Sequence, residues 1–254
     1  MYIPKIPLCF FAFSFAAGLA VQGQTITTNF QQGVSPDGSF SHEATYLREG
    51  QDDNNLNGED FIVGYNGAGT ALRLRAVLAW DLNEGFDPGL TFEDISLTLT
   101  VGSGSSDAIV MDIFELTPGG DVNNTFSESE ATWNNYAAGT PWNTEGGDFG
   151  STVLSSADST GSTSTGDKVT FESTSAFLAA AQSAYDDGRV FQFIIVSQTE
   201  FTAELMRFDD NTSSAADRPL LSVTAIPEPS TYAAIFALSA LGLVILRRRK
   251  ALRK

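Results

Sequence analysis

The chain of 254 residues has one cysteine, one histidine and few basic residues away from its ends. The cysteine, Cys9, falls in an N-terminal apolar segment read below as a leader, so the mature protein forms no intramolecular disulfide and its fold must rest on a packed core. Cys9 also precedes the apolar run rather than following it, which argues against lipid attachment there. With His42 as the only histidine, any triad or zinc site that needs an imidazole must use that residue. The plainer reading is a half-buried or solvated ring near a strand start. Of the 14 Lys and Arg, Lys5 and six in the stretch Arg247 to Lys254 sit at the ends, leaving seven against 31 acids between them. That interior carries a formal charge of −24, which excludes nucleic acid as a partner and favours solubility outside a cell or cation binding. No nucleophile motif, phosphate-binding glycine loop or zinc spacing is present, and scarce Lys and His disfavour many hydrolase and lyase arrangements.

Both ends read as processing segments. Lys5, the apolar run Leu8 to Val21 and the small residues of Val21-Gln22-Gly23 predict a signal peptide over 1–23, with Gln24 as the mature N-terminus. At the other end Ile226-Pro227-Glu228-Pro229 precedes an apolar stretch, Tyr232 to Leu246, and then the cluster Arg247-Arg248-Arg249-Lys250. Prolines keep the first part extended, the apolar helix enters a bilayer, and the cations stay on the cytoplasmic side. Residues 232–246 fall short of the roughly 20 that span comfortably, so they suit a temporary membrane anchor. The order Pro-Glu-Pro, apolar helix and basic cluster over 226–254 resembles the PEP-CTERM sorting signal of Gram-negative bacteria. That resemblance implies Pro227, Glu228 and Pro229 as the sorting motif and an exosortase-type processing enzyme as a partner. It also implies transient inner-membrane anchoring, then release to the cell surface or an exopolysaccharide matrix.

Between the ends, hydrophobic residues alternate. Leu72, Leu74, Ala76, Leu78, Trp80 and Leu82 share one parity, with Arg73, Arg75 and Asp81 on the other, predicting a half-buried strand. Ile95, Leu97, Leu99 and Val101 alternate with Ser96, Thr98 and Thr100 between turn-forming Asp87-Pro88-Gly89 and Gly102-Ser103-Gly104. Further strands are expected at 60–65, 108–116, 168–171, 190–197, 201–208 and 220–224. One short helix, capped by Ser173 or Ser175 and stopped by Asp186-Asp187-Gly188, should connect strands over one end. The Ser-, Thr- and Gly-rich stretch 146–166 reads as a long mobile hairpin or loop. The expected fold is all-β, an antiparallel β-sandwich or jelly roll with one short connecting helix, flanked by the signal peptide and the C-terminal apolar helix.

Tyr46-Leu47-Arg48, Asn57-Gly58, Phe61-Ile62-Val63-Gly64 and the Arg-bearing strand ending Leu78-Ala79-Trp80-Asp81-Leu82 together resemble the DNRLRE domain family. So do Glu128-Ser129-Glu130-Ala131-Thr132-Trp133-Asn134-Asn135 and the closing Arg218-Pro219-Leu220-Leu221-Ser222-Val223. The chain departs by having Phe126 where that family often has Trp, and by lacking a Trp-Asp-Val-Thr strand around Val169-Thr170. The resemblance implies a secreted β-sandwich, in some members a carbohydrate-binding module, over 43–225, preceded by a lead-in at 24–42.

Two constellations could carry chemistry. Asp53-Asn54-Asn55-Leu56-Asn57-Gly58 places oxygen ligands at alternate positions before a glycine, like the opening of a calcium loop. Gly64 stands at the twelfth position instead of Glu. One reading is a Ca2+ site of Asp53, Asn55 and Asn57 completed by Glu59 or Asp60; the simpler one is an Asn-Gly turn. Trp133, Asn134, Asn135, Tyr136 and Trp142 set flat rings beside amides, an arrangement suited to a sugar whose C–H face stacks while its hydroxyls bond. Against this, Trp133 could be a core plug and the Asn pair a turn, whereas Trp142, in a Gly-Thr-Pro loop, is expected to be exposed. Function therefore reads as a non-catalytic surface or matrix protein contacting exopolysaccharide. The alternatives are a polysaccharide-cleaving enzyme with paired carboxylates and a purely structural matrix protein.

Overall fold

A computed structural model describes residues 24–227, apart from 52, 68–71, 105 and 106, together with residue 239. The expected signal peptide, Glu228 and Pro229 of the sorting motif, and the apolar stretch 232–246 apart from residue 239 lie outside the described residues. Among the described residues no helix is long and apolar enough to cross a membrane.

Thirteen strands and one α-helix follow one another among the described residues. They are β1 (Ile26–Phe30), β2 (Glu43–Arg48), β3 (Phe61–Asn66), β4 (Leu72–Trp80), β5 (Leu90–Thr100), β6 (Val110–Leu116), β7 (Asn135–Ala137) and β8 (Thr140–Pro141). After these come β9 (Phe149–Asp158), β10 (Lys168–Phe171), α1 (Ser175–Asp186), β11 (Phe191–Ser197), β12 (Leu205–Phe208) and β13 (Leu220–Pro227). A four-stranded sheet runs β1-β13-β5-β10 and a seven-stranded sheet runs β12-β3-β4-β11-β6-β9, with β2 also paired along β4. Every pairing is antiparallel.

The main core lies between the two sheets. Ile95, Leu97 and Leu99 of β5 and Leu221, Val223 and Ala225 of β13 meet Ala76, Leu78 and Trp80 of β4 and Phe193 and Ile195 of β11. The four-stranded sheet turns its other face toward water, the usual division for an antiparallel sheet with one packed face, and a β-bulge opposite Thr224 and Ala225 switches the parity of β5 so that the consecutive Glu93 and Asp94 are both exposed. The alternation read in β4 holds for its inner face, but the outer face is not solvated as expected. Val77 and Ala79 of β4, with Ile194 and Val196 of β11, pack under Leu116, Phe126, Ala131, Trp133 and Trp142 in a second core. The irregular segment from Thr117 to Asp148 lies over that face, so β11 is buried along its whole length.

Three local expectations are corrected. Thr174, not Ser173 or Ser175, caps α1: its Oγ1 accepts from the Phe177 N–H at 3.0 Å, while Ser173 Oγ accepts from Ile95 N–H on β5. The stretch 146–166 contains the ten-residue β9, an edge strand paired to β6 that sends Leu154 and Ala157 into the main core from among Ser, Thr and Gly neighbours, so its composition hides it. The lead-in 24–42 supplies β1, whose Phe30 is fully buried and whose register sets Thr27 against Thr224. The helix packs on β5, β9 and β11, and Gln182 ties it to β5 by accepting from Phe92 N–H and donating to Leu90 O.

Candidate functional site

The segment expected to present aromatic rings is built on a tight turn. Thr132 N–H donates to Asn135 O, and Thr132 Oγ1 accepts from the N–H groups of Asn134 and Asn135 at 3.3 and 3.1 Å. This turns Trp133 inward, where its ring lies against Gly146. A Cβ at Gly146 would sit 2.5 Å from Trp133 Cη2, and the residue has φ of +85°, so both contact and backbone require glycine. Above the ring stand two guanidinium groups, Arg73 at 5.0 Å and Arg75 at 5.4 Å from its centre. Arg73 pairs with Glu49, and Arg75 with Glu200 and Gly146 O.

Trp142 is also buried, only 5% exposed, contrary to its loop context. Its Nε1–H donates to Thr132 O at 2.9 Å and Tyr136 packs on it at 5.5 Å, so a Trp after Gly-Thr-Pro closes the turn rather than facing water. The buried Asp148 carboxylate fixes the same segment by accepting from the N–H groups of Gly119, Asn143 and Thr144. Asn134, Asn135 and Tyr136 remain half-buried at the surface. Of the expected aromatic-amide set, the structure brings all five together and leaves these three partly accessible.

The Asn-rich loop is likewise tied down. Asn55 Nδ2 donates to Glu128 O at 2.7 Å and Ala131 O at 2.8 Å, its Oδ1 accepts from Asn57 N–H, and Gly58 has φ of +77°. Glu59 Oε2 accepts from the Tyr46 hydroxyl. Asp53 is exposed and Asp60 half-buried. Asp60 points toward Gly102 on the side where Asp209 also lies. Burial, then the neighbouring Asp210 charge, pushes the Asp60 carboxyl up, with Arg207 opposing; burial and Asp60 do the same to Asp209. Among the described residues no three of His, Cys, Asp and Glu converge closely enough to hold a metal ion.

Sequence reasoning missed a cleft of about 250 Å³ lined by Ser41, His42, Glu43, Ala79, Asp81, Glu84, Thr125, Phe126 and Val190. His42 is not solvated: it is 4% exposed and lies flat on Trp80, ring centres 4.7 Å apart and planes 15° apart. Neither ring nitrogen has a hydrogen-bond partner among the described residues. Burial, with a smaller push from the Arg218 charge, holds its pKa down at about 4, so the imidazole is neutral at pH 7. A lone histidine at the head of β2 carries no sequence signal for such a stack, because Trp80 comes from the far end of β4. A separate surface patch was also missed: Phe201 is 78% exposed, 6.0 Å from the half-buried Tyr65 and 6.0 Å from the Arg73 guanidinium.

Residues 225–250 match the PEP-CTERM protein-sorting motif. The protein is accordingly one that is exported and sorted by an exosortase to the cell surface. No curated protein matches the chain. The motif begins inside the sheet, since Ala225, Ile226 and Pro227 are the last residues of β13, opposite Phe92, Thr91 and Leu90 of β5.

Proposed function

We propose that the sandwich is a non-catalytic component of the cell surface or exopolysaccharide matrix of a Gram-negative bacterium, and that it contacts polysaccharide. The observation that carries this reading is the sorting motif, whose first residues, Ala225 to Pro227, are the last of β13. Resemblance of residues 43–225 to the DNRLRE family adds the carbohydrate-binding expectation. The surface offers matching chemistry: exposed Phe201 beside Tyr65 and Arg73, and the accessible parts of Asn134, Asn135 and Tyr136, join flat apolar faces to hydrogen-bonding groups. His42, the single histidine, is buried against Trp80 with no hydroxyl partner, which supports a role other than His-dependent catalysis.

A glycan array together with a reducing-sugar release assay on the purified full chain tests the reading. Retention of polysaccharide without release of reducing ends is expected. Release would make the protein a carboxylate-dependent hydrolase or lyase, and absence of both would leave a structural matrix component.

A further inference from the structure

We infer that the sandwich gates its own processing: the first residues of the sorting motif are held as the end of β13, and tail removal by the exosortase waits on their release from β5 and β1. The inference goes beyond polysaccharide contact and does not rest on it.

The motif match starts at residue 225, and the pairing of β13 with β5 changes at the same place. From Leu220 to Thr224 the two strands stay in step, opposite Thr98 to Asp94. A β-bulge then leaves Glu93 without a counterpart, and Ala225, Ile226 and Pro227 pair with Phe92, Thr91 and Leu90. A bulge interrupts the ladder, and it divides β13 into a longer inner part and a short end that can open alone. Pro227 lacks an N–H to carry the ladder further, so the strand stops there.

The short end is nonetheless held firmly. Ala225 is fully buried in the main core and pairs on its other side with Ile26 at the start of β1. Beyond β5, Gln182 of α1 accepts from Phe92 N–H at 2.7 Å and donates to Leu90 O at 3.0 Å, gripping the two residues on either side of Thr91, the partner of Ile226. The Phe92 ring packs on Phe86 and Tyr185, with centres 5.3 and 5.0 Å away. An enzyme that cuts a peptide bond takes its substrate as free extended chain, and a segment paired within a sheet is closed to it. Cutting at such a segment follows the fraction of time it is open. Here the opening needs only the residues beyond the bulge, so the body meets the exosortase folded and the hold on Ala225 to Pro227 sets the pace.

The test follows tail removal in pulse-labelled cells that make the full chain, reading the half-life of the unprocessed form. Gln182→Ala, which frees Leu90 and Phe92 on their far side, is expected to shorten that half-life about fivefold. Asn55→Ala removes two hydrogen bonds to the Thr117 to Asp148 segment and none to β5 or β13, and should leave the half-life as in the parent. In a Cys9→Ser background, Thr91→Cys with Ile226→Cys sets two thiols on directly paired residues, one exposed and one half-buried, at a Cα separation that a disulfide spans. The oxidised double variant is expected to stay unprocessed about tenfold longer than either single-cysteine chain, and dithiothreitol to restore the rate. An Asn55→Ala chain processed as fast as Gln182→Ala would show that global unfolding sets the rate, and would overturn the gate. So would an oxidised double variant processed like its single-cysteine controls, or a Gln182→Ala chain with the parental half-life. None of these readings involves a glycan, so the gate and the polysaccharide reading stand or fall separately.

Discussion

Arg75 grips Glu200 with two prongs, Nε 2.6 Å from Oε1 and Nη2 2.8 Å from Oε2, beside the buried Trp133 ring. Arg75 is one of the polar-parity residues of β4, yet its side chain is 7% exposed and that of Glu200 13%. Removing one partner of such a pair leaves an unpaired charge away from water, at a cost of about 3 to 5 kcal/mol. Arg75→Met is therefore expected to lower the denaturation midpoint strongly, and Arg75→Met with Glu200→Gln to recover a large part of the loss. Equal destabilisation by the single and double variants would show that packing of the Arg75 stem over Trp133 and Phe149, and not the ion pair, holds this face.

Trp142 fills the second core, and its indole N–H satisfies Thr132 O. Trp142→Ala should cost about 3 to 5 kcal/mol, read as a lower urea midpoint at unchanged slope. Tyr136→Phe should be nearly silent in the same measurement. A Trp142→Ala protein as stable as the parent would mean that the segment Thr117 to Asp148 is not packed on the sheet as described.

His42 makes stability depend on pH in a calculable direction. Its folded pKa of about 4 lies below the ordinary histidine value of 6.5, so the unfolded chain takes up a proton first as pH falls. Stability is complete above pH 6.5 and declines toward pH 4, by about 2 kcal/mol between pH 7 and 5. Arg218 nearby adds to the effect. Glu128, Asp60 and Asp209 are all raised, chiefly by burial, and act in the opposite sense as pH falls, so the His42 contribution is read as the difference between the parent and a His42 variant. His42→Phe keeps a ring on Trp80 and should flatten that part of the profile; an unchanged slope would show that the imidazole is not buried neutral.

The Asn55 side chain makes two hydrogen bonds to the Glu128–Ala131 backbone and accepts one from Asn57. Asn55→Ala should cost about 1 to 3 kcal/mol through unsatisfied carbonyls. The melting temperature should be indifferent to millimolar calcium and to chelator. A calcium-dependent rise, removed by Asn55→Ala, would restore the cation reading through binding linkage.

Sorting is testable at the junction of β13 with the tail. Pro227→Ala with Glu228→Ala should leave an uncleaved, membrane-retained protein with the sandwich intact. A surface-released product still ending near Pro229, measured by mass, would show that these residues do not direct processing.

The all-β character and most strands were legible because an antiparallel sheet with one wet face writes its burial into a period of two, as in β5 and β13. The sorting signal was legible for a similar reason, since its parts are contiguous and act by composition. β9 was hidden because only Leu154 and Ala157 of this edge strand reach the main core, too few to write a period of two, and β1 because five residues in a polar lead-in carry too short a pattern.

What the sequence determined by itself is local: the absence of any intramolecular disulfide, the strong negative charge, the alternating strands and the address near the C-terminus. Only the tertiary structure decided which aromatic rings face inward and where a cleft opens. Trp142 is buried because a segment distant from β4 and β11 folds across their outer face, and His42 meets Trp80 because β2 and β4 run antiparallel, with Glu43 set against Ala79. Such contacts join residues far apart in the chain, and hydrophobic periodicity, a property of neighbours, carries no record of them.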